Sequence, residues 1–136
     1  MQPDPESLAR KLQSFGDALQ RLEEALSLSA PSSLEKDGSI QRFEFTLETA
    51  WKTLRSALLN ESLETGTPKS AISGAFQSGW IQDESLWLEM LKARNEASHL
   101  YREARAAEIY SRLSPFTLEM RKLHGFLGKK FGIKLE

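Results

Sequence analysis

The sequence predicts an all-α protein, an antiparallel up-and-down four- to five-helix bundle forming a single domain over residues 1–136. Three observations carry that prediction. Apolar residues recur every three or four positions from one end of the chain to the other. No region alternates apolar and polar residues over four or more positions between hairpin turns, so strand signals are missing. The periodic segments are joined by short stretches rich in Pro, Ser, Asp and Gly, and short loops join antiparallel neighbours.

The first helix is expected over about residues 5 to 29. Leu8, Leu12, Phe15, Leu19, Leu22 and Leu26 form its stripe, Asp4 or Pro5 marks its start, and Pro31 stops it. The linker APSSLEKDGS is the clearest turn, and Ser39 at its end is positioned to cap a second helix carrying Ile40, Phe43, Leu47, Trp51, Leu54 and Leu58. A short third helix opens with Thr67 as cap and Pro68 at its first position, with Ile72, Ala75, Phe76 and Trp80 facing inward. Asp83 then caps a fourth helix, ESLWLEMLKARNEASHLY, whose inward stripe reads Trp87, Met90, Leu91, Arg94, Ala97, Ser98 and Tyr101. The last helix follows Ile109, Leu113, Phe116, Met120, Leu123 and Leu127. Pro115 is expected to kink or break it, with Ser114 as a new cap.

At 136 residues the chain is long enough to bury one core without staples, and 40% hydrophobic with 27% charged residues is ordinary globular usage. There is no cysteine, which rules out disulfide and thiolate chemistry and fits a reducing compartment. The opening MQPDPESLAR has no apolar run, and no stretch approaches the roughly 18 apolar residues of a spanning helix. A cytoplasmic protein without membrane contact is the expectation. Leu135 and Glu136 match the remnant of a cloning tag and stay outside the functional reading.

Charge is unevenly divided. Residues 1 to 91 carry eight Lys or Arg against fourteen Asp or Glu, whereas residues 92 to 134 carry ten against four. The second half is therefore a candidate cationic surface. Its densest stretch, RKLHGFLGKKFGIK from Arg121 to Lys134, also reads as a basic helix C-terminus favoured by the macrodipole.

Residues 94 to 101, RNEASHLY, place an arginine, an asparagine, a histidine and a tyrosine within two helical turns, where Leu or Ala would pack better. At about 100 degrees per residue, Arg94 shares a face with Trp87, Leu91 and Tyr101 and points toward the core or a partner. A guanidinium so placed needs an anion. An internal ion pair with Glu48 or Glu44, or stacking on Trp at a dimer seam, meets that need structurally. Asn95 lies four residues before His99, within reach of its ring, so it is able to fix the tautomer. Arg94 and His99 stand about 140 degrees apart on an ideal helix. Convergence on one target requires either a deformed helix end or two chains sharing a cleft.

The pattern R-x4-H-x-Y formed by Arg94, His99 and Tyr101 resembles the signature of HEPN domains, small helical proteins that dimerise. The segments LQSFGDALQRLEEAL, DGSIQRFEFTLETAWKTLRSAL and SAISGAFQSGWIQD, with Asn95 after the motif's arginine, are similar to the branch of nucleotidyltransferase substrate binding proteins. The resemblance implies a metal-independent endoribonuclease toxin, with a cognate minimal nucleotidyltransferase as antitoxin. By that resemblance His99 is general acid or base, Arg94 holds the scissile phosphate, and Asn95 orients the histidine or adds a donor. The resemblance also implies that Tyr101 is the residue to which the nucleotidyltransferase transfers AMP. Its alternative role is a packed phenol beside Trp87.

Lys92, Arg102, Arg105 and Arg112 supply an RNA groove or, alternatively, a solvated helix face. The scheme needs no metal and no other cofactor. A second reading keeps the same helices as a non-catalytic subunit that binds a nucleotide or other substrate for a separate nucleotidyltransferase. A homodimer is expected in either case, because Trp51, Trp80, Trp87 and seven phenylalanines leave apolar side chains to spare for a twofold seam.

Overall fold

The structure, a computed structural model, describes residues 3–97 and 103–135. Five helices follow one another: α1 (Pro5–Leu26), α2 (Ser33–Asn60), α3 (Pro68–Gln77), α4 (Glu84–Ala97) and α5 (Glu103–Lys130). Side-chain contacts fix their directions. The Arg42 guanidinium, the Thr46 hydroxyl and the Thr53 hydroxyl on α2 donate to the carbonyls of Arg21, Ala18 and Lys11 on α1, so these two helices run antiparallel. Arg105 pairs with Glu96 and Arg112 with Glu89, which makes α4 and α5 antiparallel as well. Across the middle, Phe43 stacks on Phe116 and Lys130 reaches Glu61, so α2 and α5 are parallel diagonal partners. This is the expected up-and-down bundle of α1, α2, α4 and α5, with α3 as a short insert between α2 and α4.

The stripes read from the sequence form the core. Leu8, Leu12, Phe15, Leu19 and Leu22 of α1 meet Ile40, Phe43, Leu47 and Leu54 of α2, and Ile109, Leu113, Phe116 and Met120 of α5 close the same cluster. Each fully buried aliphatic or aromatic side chain contributes about 1.5–3 kcal/mol of transfer free energy, and that shared burial is what orders the helices. At the helix starts, the Asp4 carboxylate accepts from the Glu6 and Ser7 backbone N–H groups. Asp83 accepts from Leu86 N–H, and Thr67 caps α3 ahead of Pro68, both as anticipated.

Five expectations are corrected. Helix α1 ends at Leu26 rather than near residue 29, because Ser27 folds back on the Glu24 carbonyl. Most of the supposed linker is helical. Ser32 and Glu35 form a reciprocal capping box, so α2 starts at Ser33 and takes in Asp37 and Gly38, and Ser39 is a buried interior residue rather than the cap. Phe76 is largely exposed on α3, whose buried face is Ala71, Ile72, Gly74 and Ala75. Helix α5 runs unbroken through Pro115. Pro115 is itself exposed, while Leu113, Phe116 and Met120 around it are buried, and their packing outweighs the missing N–H. Finally, Trp51, Trp80 and Trp87 are buried within the chain and are not spare for a seam; the exposed large apolar residues include Leu34, Phe45, Phe76, Leu118 and Phe126.

Candidate functional site

The sequence singled out the end of α4, and the fold determines what α4 faces there. Trp87, Met90, Ala93 and Ala97 are its buried residues, which sets its rotation, and Asp83 caps its start. That rotation leaves Arg94 partly buried beside α2, with Lys92 and Asn95 exposed. The Arg94 Nη1 lies 3.1 Å from Glu48 Oε2 on α2, realising one of the two internal ion pairs anticipated from the sequence. Its Nη2 reaches 3.5 Å toward Asn95 Oδ1, a long contact.

Glu48 is a hub. Its Oε2 also accepts from the Trp51 indole N–H at 3.0 Å, and its Oε1 lies 3.3 Å from Lys52 Nζ. Burial pushes the Glu48 carboxyl upward, but the Trp51 and Lys52 hydrogen bonds with the Lys52 and Arg94 charges outweigh it and hold the group below the usual carboxylate value. Glu44, one turn earlier on α2, behaves oppositely. Burial raises its pKa, and Arg94 offsets this only in part. The guanidinium is therefore held against one firmly ionised carboxylate and near a second that holds its proton more readily.

Beyond Arg94 the surface opens into a cleft of about 450 Å³. Leu88, Leu91, Lys92, Arg94 and Asn95 form its α4 side, and Thr67, Pro68 and Lys69 at the start of α3 form the other. The structure thus brings Lys92, Arg94 and Asn95 together. It places Arg105 and Arg112 elsewhere, along the seam between α4 and α5, where each is committed to a glutamate, and Arg112 also lies over the Phe116 ring. His99, Tyr101 and Arg102 lie outside the described residues. Lys69 escaped the sequence reading, since Thr67 and Pro68 announce where α3 starts but not which helix it faces. Among the described residues no group of three or more His, Asp or Glu is placed to hold a metal ion. No helix described is long and apolar enough to cross a membrane.

The second histidine is structural. His124 is buried in α5, 3.2 Å from the Leu12 carbonyl and edge-on to Phe15. Gly16 is required beneath it, because a Cβ there would stand 2.6 Å from His124 Nε2.

The family described as "Nucleotidyltransferase substrate binding protein like" matches residues 10–129, which include all of α2, α3 and α4. The chain belongs to that family. The chain is 30% identical over 87 residues to "Probable ribonuclease HepT" of Haemophilus influenzae, a match that spans 60% of each chain. A crystal structure of a Thermus thermophilus protein superposes with a TM-score of 0.80 at 37% identity, over 83% of this chain and 98% of that one. A second structure, from Haemophilus influenzae and reported as the fold of a substrate binding domain of a nucleotidyltransferase, superposes at 0.66 with 23% identity, over 91% of this chain and 98% of that one; it shares the fold. The all-α bundle and the likeness to HEPN-type proteins associated with a nucleotidyltransferase thus stand together.

Proposed function

We propose that this family member is a HEPN-type, metal-independent endoribonuclease toxin that acts as a homodimer and is neutralised when a cognate minimal nucleotidyltransferase transfers AMP to Tyr101. One observation carries the reading: Arg94 is anchored by Glu48 at the wall of an open cleft that it shares with Asn95 and Lys92. An anchored guanidinium presents its remaining donors in a fixed orientation, as stabilisation of developing phosphorane charge demands. RNA supplies its own nucleophile. The 2'-hydroxyl attacks the adjacent phosphorus, a cyclic phosphate forms, and the bond to the 5'-oxygen breaks. His99 takes the first proton or gives the last one near neutral pH, and Arg94 bears the charge between. The similarity to a probable ribonuclease supports the same reading.

The second reading, a non-catalytic subunit that binds a nucleotide or other substrate for the nucleotidyltransferase, draws on the same ion pair. Glu48 already neutralises Arg94, which lowers the cleft's pull on a phosphate.

Cleavage separates the two readings. Purified wild-type chain should cut single-stranded RNA in the presence of EDTA, and His99→Ala should lower the rate by about 10²–10⁴-fold while the helical circular dichroism stays unchanged. Expression without the nucleotidyltransferase should arrest growth, and the same substitution should relieve the arrest. Wild-type protein that neither cuts RNA nor slows growth would leave the binding-subunit reading. For Tyr101, incubation with the nucleotidyltransferase and ATP should add one adenylyl group by mass spectrometry, and Tyr101→Phe should stay unmodified.

A further inference from the structure

We propose that the cleft between the start of α3 and the end of α4 holds the RNA strand next to the scissile phosphate, with Lys69 and Lys92 on backbone phosphates and a base against Leu88 and Leu91. The inference rests on the ribonuclease reading and extends it to a helix outside the motif. Three cations from two helices, Lys69, Lys92 and Arg94, line this one cleft, and among the described residues no Asp or Glu lines it. Only Arg94 is neutralised; neither Lys69 nor Lys92 has a carboxylate partner among the described residues. The cations of the neighbouring α4–α5 seam are in contrast matched one for one, Arg105 to Glu96 and Arg112 to Glu89. Positive charge without a carboxylate partner thus lies beside Arg94, where it opens to solvent.

The cleft's volume of about 450 Å³ suits a unit of nucleotide size. Its two leucines are half-buried, and they offer an apolar wall that phosphate contacts alone would not use. Arg94 fixes the direction. If it holds the scissile phosphate, the flanking phosphates fall to Lys92 on the α4 side and Lys69 on the α3 side.

The experiment uses the full chain carrying His99→Ala, so that RNA is bound but not cut, and a short fluorescein-labelled single-stranded RNA. Fluorescence anisotropy across a salt series is compared with and without Lys69→Gln and Lys92→Gln together, and with Arg10→Glu as a remote charge change. Each lost phosphate contact lowers the slope of log affinity against log salt by about 0.7 for single strands, so the paired lysine change should lower it by about 1.4. Arg10→Glu should leave the slope in place. In the catalytically intact chain the same pair should raise KM for cleavage and leave kcat nearly unchanged.

An unchanged slope and KM, with wild type still cutting RNA, would overturn the cleft assignment alone. RNA bound through the two lysines by a wild-type chain that never cuts would overturn the nuclease reading and keep the groove. Dependence of AMP binding, but not RNA binding, on the lysines would overturn the assignment to RNA. No RNA binding by any variant would overturn both.

Discussion

Arg94 and His124 show how the same kind of group takes opposite roles according to what surrounds it. Arg94 keeps one edge on Glu48 and another toward a cleft, so its charge is held but not consumed. Its pair with Glu48 is partly exposed on both sides and is worth little to stability, within about 1 kcal/mol. Its value lies in orientation. His124 is walled in by the Leu12 carbonyl, the Phe15 ring and Gly16. Burial, reinforced by Arg121, lowers its pKa, and the opposing Leu12 hydrogen bond and Glu23 and Asp17 charges do not cancel this. A depressed imidazole contributes stability above its ordinary value of 6.5, and that contribution is lost as pH falls from there toward the lower folded value. Urea midpoints should therefore drop as pH falls below about 6.5. In His124→Gln that part of the pH dependence should vanish, and a variant that retains the full slope would contradict the assignment.

Among the elements, α5 departs furthest from local expectation. Proline in a helix interior costs about 3 kcal/mol relative to alanine, yet α5 continues from Glu103 to Lys130 across Pro115. It is sustained by its neighbours: Phe116 stacks on Phe43, the Thr117 hydroxyl donates to the Leu113 carbonyl, and α4 is tied to its solvent side by two ion pairs. Pro115 is exposed, so Pro115→Ala removes the local cost without opening a cavity. Stability in denaturant titration should rise, by up to about 3 kcal/mol. A loss instead would mean that a bend at Pro115 is needed for the packing of α5. Helix α2 teaches the complementary lesson. Its Ser32–Glu35 box was present in the letters, but the nearby Asp-Gly pair signalled a turn more loudly. Gly38 has nothing within 4 Å of where a Cβ would stand, so it serves no tight turn or close approach and is carried along by the helix around it.

At the scale of the whole molecule, the bundle consumes its largest aromatic groups internally. Trp87 is fully buried, and Trp51 and Trp80 are at most 9% exposed. A homodimer, as proposed, then draws on side chains other than the tryptophans, and Leu34, Phe45, Phe76, Leu118 and Phe126 are among the exposed apolar ones. Sedimentation at micromolar concentration should report twice the 15.4 kDa chain mass. On dilution to the monomer the tryptophan emission maximum should stay fixed, because no indole leaves a seam; a red shift that tracks dissociation would place a tryptophan in the interface after all.

The helical class, the stripes that became the core, the caps at Asp4, Thr67 and Asp83, and the resemblance carried by Arg94 and the residues after it were all legible in the letters alone. Those are local or periodic properties, set by side-chain spacing within one helix. Glu48 was legible too as a partner for Arg94, though only beside Glu44. Packing chose between them, kept α5 whole through Pro115, buried the three tryptophans, and set Lys69 across a cleft from Lys92. Each of those outcomes depends on how one helix is rotated and pressed against another, and burial shared between distant segments outweighs the preference of any single residue.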